Sequence, residues 1–164
     1  MSGENAMAEE RAIQAELAGE FPFLEGRIRI PRARRMFAEA PAERAGELIG
    51  HLQDRMQFSI LCTITGLDLG ATLGVIYHLA RPSGVVLNLS TALPKEKPVL
   101  QSIRARFPAA EAYERELADL LGFEVQGLPA GPRYPLPDSW PAGQHPLRKD
   151  WKPDSLPGAP RQRD

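Results

Sequence analysis

The chain has 164 residues, enough for one ordinary domain with its own core, and 43% of them are hydrophobic. Its 20 basic residues nearly balance its 21 acidic ones, so the whole-chain charge gives no reason to expect a nucleic acid or an anionic membrane as partner. One cysteine and three scattered histidines, without a CxxC or HExxH motif, predict neither an internal disulfide nor a metal site. We expect a reducing compartment and no cofactor.

The first part of the chain, residues 1–26, predicts a helical arm. Residues 5–18 have weakly amphipathic helical spacing; Asn5 could cap this helix and Gly19 could end it. The N-terminus is acidic and lacks the apolar stretch of a signal peptide, and no run of about 18 apolar residues could span a bilayer. We therefore expect the chain to reach a membrane only indirectly, through other proteins.

Residues 27–126 predict an α+β core domain. A short strand at residues 27–30 comes first, and helical spacing then predicts two helices that Pro41 separates. The apolar residues of these two helices are Met36, Phe37, Leu48 and Leu52.

Three strands follow, each with apolar residues at alternate positions. The turn residues 81–84 (RPSG) join the last two as a hairpin. The sequence thus predicts an antiparallel β-meander sheet of about four strands packed against helices. We interpret Cys62 as an inert core cysteine. The three alternating sets are Phe58, Ile60, Cys62 and Ile64; Leu73, Val75, Tyr77 and Leu79; and Val85, Leu87 and Leu89.

Two helices are predicted after the meander, a short one at residues 99–107 and a clearer one at residues 109–122. Gly122 is placed to cap the end of the second helix. Its apolar stripe comprises Tyr113, Leu117, Leu120 and Leu121.

The second helix also carries carboxylates beside Arg115, which raises the alternative of acid–base catalysis. Glu114 and Glu116 are two residues apart and point to different sides, whereas Glu111 and Asp119 each lie four residues from Arg115. This spacing favours ion pairs on a solvated or interface face over catalysis. The sequence contains no GxSxG motif and no glycine-rich phosphate loop.

Residues 127–164 predict an extended, partner-docking tail. Nine of the 16 prolines lie here, together with both tryptophans, Trp140 and Trp151. Prolines at this density prevent regular helix or sheet, while large aromatics are typical of buried interfaces rather than of free linkers. Because the apolar stripes end before Gly122, we expect the core to fold without this tail.

Two segments resemble one known family. YERELADLLG (residues 113–122), followed by PDSWPAGQHPLRKDW (residues 137–151), is similar to the ERE-x-x-D-x-x-G helix and PLRKD tail of the hydrophilic 30 kDa subunit, or C subunit, of the respiratory NADH dehydrogenase. This subunit occurs in complex I and in related membrane-bound hydrogenases. The chain reads DLLG where the family usually reads DLFG, and SWPAGQHPLRKD is closer to the hydrogenase-type branch.

The resemblance implies a subunit that has no chemistry of its own. It implies a place in the peripheral arm at the cytoplasmic face of the cell membrane, beside the iron–sulfur subunits, with the tail across the hydrogenase-like large subunit near the quinone end. It implies no catalytic, cofactor or metal residues. The residues that it marks for the family motif and the partner interface are Glu114, Arg115, Glu116, Asp119, Gly122, Trp140, His145, Pro146, Leu147, Arg148, Lys149, Asp150 and Trp151.

Three interpretations remain open. The parent complex is either an NADH:quinone oxidoreductase, or a membrane-bound nickel–iron hydrogenase or other variant with a different electron donor. The third interpretation is a free-standing proline-rich binding module or minor enzyme, which would work without a large subunit.

Overall fold

The structure is a computed structural model that describes residues 7–153. Within these residues the chain has the α+β fold class that the sequence predicts, with three α-helices and seven strands. The helices are α1 (Ala8–Glu20), α2 (Ala42–Met56) and α3 (Ala110–Leu121). The strands are β1 (Ile28–Arg32), β2 (Arg35–Glu39), β3 (Ile60–Asp68), β4 (Thr72–Ala80), β5 (Val86–Pro94), β6 (Val99–Gln101) and β7 (Glu124–Gln126).

The described residues form two compact units. The first holds the residues up to Thr65 together with Val75–Ala92, and so contains α1, α2, β1, β2 and most of the three long strands. The second holds Gly66–Gly74 and the residues from Leu93 onward, with α3, β6, β7 and the proline-rich segment. The two motifs that carry the family resemblance therefore belong to the same unit.

The large sheet is mixed, with strand order β1-β2-β5-β4-β3. β3, β4 and β5 are neighbours joined by short connections, as the meander predicts, and such connections require antiparallel strands. β2, however, pairs in parallel with β5, with Arg35 opposite Val86 and Glu39 opposite Ser90. The prediction of a purely antiparallel sheet of about four strands is therefore wrong, because the chain crosses over through α2 before it returns beside β2.

Residues 35–39 form strand β2, where the sequence predicted a helix. Met36 and Ala38 are buried and alternate with more exposed neighbours, which is the period of a strand. Arginine, methionine, alanine and glutamate favour helices intrinsically, but pairing with a strand on each side outweighs that preference. Pro41 separates β2 from α2, so it marks a boundary between a strand and a helix.

The first unit confirms two predicted helices. α2 buries Leu48 and Leu52 completely, as its spacing predicts. α1 also lies where a helix was predicted, although it continues through Gly19 to Glu20, because an isolated glycine weakens a helix without ending it. The proposed cap at Asn5 lies outside the described residues.

The predicted inward faces of β4 and β5 are buried, but that of β3 is not. Phe58 and Ile64 are buried, whereas Ile60 is 48% exposed and Cys62 is also exposed. The prediction of a core cysteine is therefore wrong. β3 is an edge strand, so its side chains have sheet neighbours on one side only.

The second unit contains a small parallel sheet of β6 and β7. Val99–Gln101 forms β6, so the short helix predicted at residues 99–107 is wrong; pairing with Glu124–Gln126 fixes these residues as a strand. α3 confirms the clearer helix, with Leu117 and Leu121 buried. Gly66 contributes to this packing, because a side chain there would collide with both leucines.

Candidate partner interface

The carboxyl end of α3 is shaped by Gly122. Its φ of +75° lies in the left-handed region that glycine tolerates best, and its N–H donates to the carbonyls of Leu117 and Ala118. A side-chain carbon at this position would lie 2.6 Å from the ring of His145 and 2.8 Å from the guanidinium of Arg148. Gly122 therefore ends the helix and leaves room for the HPLRKDW segment.

The HPLRKDW segment caps α3. The last carbonyls of a helix have no partner inside the helix. Here two side chains and one backbone N–H supply those partners, and the cation of Arg148 is also favoured by the helix dipole at this end. The three hydrogen bonds run from His145 Nδ1 to the Asp119 carbonyl (2.9 Å), from the Leu147 N–H to the Leu120 carbonyl (3.0 Å) and from Arg148 Nε to the Leu121 carbonyl (2.7 Å).

Trp151, at the end of the HPLRKDW segment, pairs with Trp140, which precedes the segment. The ring centroids of Trp140 and Trp151 are 6.0 Å apart, and both indole N–H groups donate to Gln144, one to its carbonyl and one to its side-chain oxygen. Both rings are half-buried, as is Pro146. Residues 137–151 form a succession of i to i+3 turns rather than the extended chain that the sequence predicts.

Arg115 joins α3 to the loop that follows β7. Its guanidinium donates to the Glu111 carboxylate at 2.9 Å and to the Pro129 carbonyl at 2.9 Å. The predicted pair of Glu111 with Arg115 is confirmed, and Arg115 is the main reason why the pKa of Glu111 is lowered. The pair predicted between Arg115 and Asp119 is replaced by an interaction of Asp119 with the loop.

Asp119 holds the middle of the proline-rich segment. Its carboxylate accepts hydrogen bonds from Arg133 Nε at 3.0 Å and from the Leu136 N–H at 3.3 Å. Arg133 in turn donates to the Trp140 carbonyl at 2.6 Å. The geometry favours Arg133 over Arg115 as a partner because α3 directs the Arg115 guanidinium towards Glu111 and the Pro129 carbonyl.

Glu114 is buried, at 3% exposed, and takes no part in an ion pair on the helix face. Its carboxylate accepts hydrogen bonds from the Ser102 hydroxyl (2.6 Å) and the Ile103 N–H (2.7 Å). Burial raises the pKa of Glu114, and these two donors partly offset the effect. Glu114 thus fixes the loop before α3, while Glu116 is half-buried on the same helix and is not part of these contacts.

Replacing Glu114 with alanine should lower the free energy of unfolding by about 1–3 kcal/mol, because the buried Ile103 N–H loses its acceptor. Glu114→Gln keeps one acceptor oxygen and should lower the free energy of unfolding by a smaller amount. Denaturant unfolding of both variants tests this. Equal losses for Gln and Ala would contradict the assigned role.

Asp68 binds the end of the HPLRKDW segment. Its buried carboxylate accepts hydrogen bonds from Lys95 Nζ, from the Lys149 N–H and from the Gly70 N–H, each at 2.8 Å. Lys95 also pairs with Asp150 at 2.9 Å. The Lys95 ammonium and the two backbone donors hold the pKa of Asp68 well below its usual value, and Lys95 likewise lowers the pKa of Asp150.

The stability of the chain should depend on Asp68 at low pH. A carboxylate whose pKa is depressed by folding stabilises the fold above its unfolded pKa of 3.8 and loses that contribution as the pH falls below it. The melting temperature of Asp68→Asn should therefore lie below that of the natural sequence at neutral pH, and the difference should shrink as the pH decreases below 3.8. A difference that is independent of pH would contradict this linkage.

The structure connects α3 to the proline-rich segment through Arg115 and Asp119, whereas Glu114 contacts the loop before the helix and Glu116 takes no part in these contacts. It adds residues that the sequence did not mark: Asp68, Lys95, Ser102, Arg133 and Gln144. Arg133 lies 14 positions from Asp119 in the sequence, and no local pattern pairs the two. The contact of Lys149 with Asp68 joins residues 81 positions apart, which no local pattern reveals.

Two large side chains of this arrangement remain open to solvent. Leu147 is 55% exposed and Tyr134 is 51% exposed. Tyr134 borders a cavity of about 400 Å³ that lies between the first turns of α3 and residues 132–134, and Arg115 and Arg133 line it. An exposed aromatic side chain beside an open cavity is typical of surfaces that receive a partner.

Residues 7–153 contain no group of three His, Cys, Asp or Glu side chains placed to hold a metal ion. Over the same residues, no helix combines the length and the apolar character needed to cross a bilayer. The expectation that the chain carries no cofactor remains a prediction.

Comparison with known proteins gives one family. The profile described as "Respiratory-chain NADH dehydrogenase, 30 Kd subunit" matches residues 38–156. The C subunit of the F(420)H(2) dehydrogenase of Methanosarcina mazei is 32% identical over 87% of this chain and 91% of its own length. The beta subunit of the membrane-bound hydrogenase of Pyrococcus furiosus is 37% identical over 52% of this chain, which spans about half (51%) of that relative.

The fold agrees with these relatives. A chain of the membrane-bound sulfane sulfur reductase, an archaeal respiratory membrane complex, superposes with a TM-score of 0.79 and 23% identity, over 88% of this chain and 86% of that one. The resemblance found in the ERE helix and the PLRKD segment is confirmed. The chain belongs to the family of the 30 kDa subunit of respiratory-chain NADH dehydrogenase, and it is a peripheral-arm subunit of a complex I-like oxidoreductase.

Proposed function

We propose that this chain is a non-catalytic docking subunit that binds the hydrogenase-like large subunit of its complex, near the quinone end. The binding surface is the outer side of α3 together with residues 127–153. The chain is held at the cytoplasmic face of the membrane by this contact and by iron–sulfur subunits of the same assembly. It contributes no catalytic group, so electron transfer belongs to the complex as a whole.

The observation that carries this proposal is the way in which the PLRKD segment is folded on α3. Its donors are used internally, on the carbonyls of residues 119–121 and on Asp68. Two large side chains, Leu147 and Tyr134, stay exposed, and Tyr134 borders the 400 Å³ cavity. A surface that is already ordered loses little conformational entropy on binding, and an exposed aromatic side chain beside a cavity suits a side chain inserted by the large subunit.

Affinity capture tests this proposal directly. The tagged full-length chain should recover the large subunit from detergent-solubilised membranes, and Leu147→Ser with Tyr134→Ser should reduce recovery by tenfold or more, because central apolar contacts typically contribute about 2 kcal/mol each. Ile60→Ser, at 48% exposed, is a control on the first unit for loss of an exposed apolar side chain and should leave recovery unchanged. Recovery that is the same for all variants would contradict the proposal.

The second candidate is the equivalent subunit of a membrane-bound nickel–iron hydrogenase. The 37% identity to the Pyrococcus furiosus hydrogenase subunit favours it over part of the chain. The captured assembly separates the candidates: a flavin-binding NADH module supports the oxidoreductase, whereas bound nickel without that module supports the hydrogenase. A purified chain that turns over a substrate without any large subunit would support the free-standing enzyme instead.

A further inference from the structure

The β1–β2 hairpin of the first unit is strongly basic. Residues 27–35, which we call the arginine hairpin, contain five arginines and no acidic residue. The other 15 basic and 21 acidic residues leave the rest of the chain with a net charge of −6. The near-neutral total therefore conceals one concentrated positive segment. The five arginines are Arg27, Arg29, Arg32, Arg34 and Arg35.

These side chains form no ion pair within the part of the chain that the structure describes. Four of them are exposed and Arg35 is half-buried. None of the ion pairs formed among residues 7–153 includes a guanidinium of the arginine hairpin. By contrast, five arginines outside the hairpin each have a carboxylate oxygen within 3.4 Å. They are Arg44, Arg81, Arg104, Arg115 and Arg133.

The register of the hairpin places like charges together. Arg32 lies directly opposite Arg35, a cross-strand arrangement that destabilises an isolated sheet. Arg29 lies opposite Phe37, and its guanidinium is 5.6 Å from the centroid of that ring. Local arrangements that oppose folding are expected at functional sites, and both arginine and aromatic residues are enriched at protein interfaces.

Helix α1 holds the arginine hairpin in a fixed conformation. The carboxylate of Glu10, which is 3% exposed, accepts the N–H of Arg34 at the turn, where Arg34 has a φ of +61°. Gln14 Nε2 donates to the carbonyl of Ile28 at 3.0 Å. Both ends of the hairpin are thus positioned in the free chain, so a partner would meet an ordered row of guanidiniums.

We propose that the arginine hairpin is a second docking surface, and that it binds a carboxylate-rich segment of a neighbouring protein subunit. This inference rests on the proposed assembly but concerns a different part of the chain. Guanidinium groups match carboxylates through paired hydrogen bonds, and the arginine and phenylalanine together suit a protein surface. The charge of −6 on the rest of the chain disfavours the long-range attraction that brings proteins to membranes or nucleic acids.

The test uses the full-length tagged chain in its native membranes. Replacing Arg27, Arg29 and Arg32 with lysine keeps the charge and supplies amines, so that a carbodiimide can join them directly to carboxylates in contact. Cross-links from these positions to Asp or Glu residues of another subunit are expected. Cross-links found only within this chain, or none at all, would overturn the proposal.

A charge-removal series completes the test. Arg27→Gln with Arg29→Gln and Arg32→Gln should weaken retention of the cross-linked subunit by on the order of tenfold, more so at low salt, because exposed charge pairs are screened by ions. The control, Arg11→Gln with Arg55→Gln and Lys97→Gln, removes the same three charges from exposed positions outside the hairpin and should have no effect.

The remaining outcomes are also decisive. If the natural chain recovers its complex but the hairpin variant recovers all subunits equally well, this proposal fails while the proposed function stands. If the natural chain recovers no complex, the proposed function fails first. The full-length chain is also mixed with phosphatidylglycerol vesicles and with single-stranded RNA. If the natural chain binds either one, and the hairpin variant loses that binding while its assembly stays intact, the proposal of a protein partner is overturned.

Discussion

Ending the chain at Gly127 is expected to destabilise the second unit by several kcal/mol and to abolish capture of the large subunit. The carbonyls at the end of α3 lose the three donors of the HPLRKDW segment, and each lost hydrogen bond costs about 0.5–1.5 kcal/mol, more where a buried group is left unpaired. Asp119 also loses Arg133, and Asp68 loses the Lys149 N–H. Amide hydrogen exchange of α3, measured peptide by peptide, reports the effect.

The control for this truncation lies within the same molecule. Peptides from α2, whose core residues Leu48, Ile49 and Leu52 are fully buried in the first unit, should keep their protection. Unchanged protection of α3 after truncation would mean that the core is complete before residue 127, which is what the apolar stripes alone predict. In that case the tail would contribute to binding and not to folding.

Replacing Gly122 with valine should have the second-largest effect, a loss of about 3 kcal/mol or more in the free energy of unfolding. A β-branched residue at a φ of +75° is strained by about 1–3 kcal/mol, and its side chain would displace His145 and Arg148 from the end of α3. Thermal or denaturant unfolding of the full chain measures the loss, and capture of the large subunit should fall with it.

Gly143 provides a matched control. It has nearly the same φ, +74°, but no atom lies within 4 Å of the position that a side-chain carbon would occupy. Gly143→Val therefore carries the backbone strain without the collision. The difference between the two variants measures the cost of displacing His145 and Arg148, and equal losses would contradict the capping role of these residues.

The sequence predicted the parts of the fold whose signal is local. The spacing of Leu117 and Leu121 and the glycine that follows them define α3, and period-two alternation defines β4 and β5. β2 was missed because its alternation of Met36 and Ala38 overlaps with residues that favour helices, so that only its pairing with β1 and β5 decides the conformation.

The candidate site was predicted by residue but not by contact. The motif marks Asp119 and Arg148, whereas the partners of these side chains are set by tertiary geometry, namely Arg133 and the Leu121 carbonyl. The arginine hairpin was visible as a local run of charge in residues 27–35, but the whole-chain balance concealed it. Local charge therefore carries information that total charge does not.

The central claim is that the HPLRKDW segment is already folded on α3 before any partner binds. Amide hydrogen exchange of Leu147 in the isolated full-length chain tests this most directly, because its N–H donates to the Leu120 carbonyl. We expect this amide to exchange far more slowly than in an unfolded peptide, with little further change in the assembled complex. Exchange at the unfolded rate in the isolated chain, with protection only in the complex, would contradict the claim.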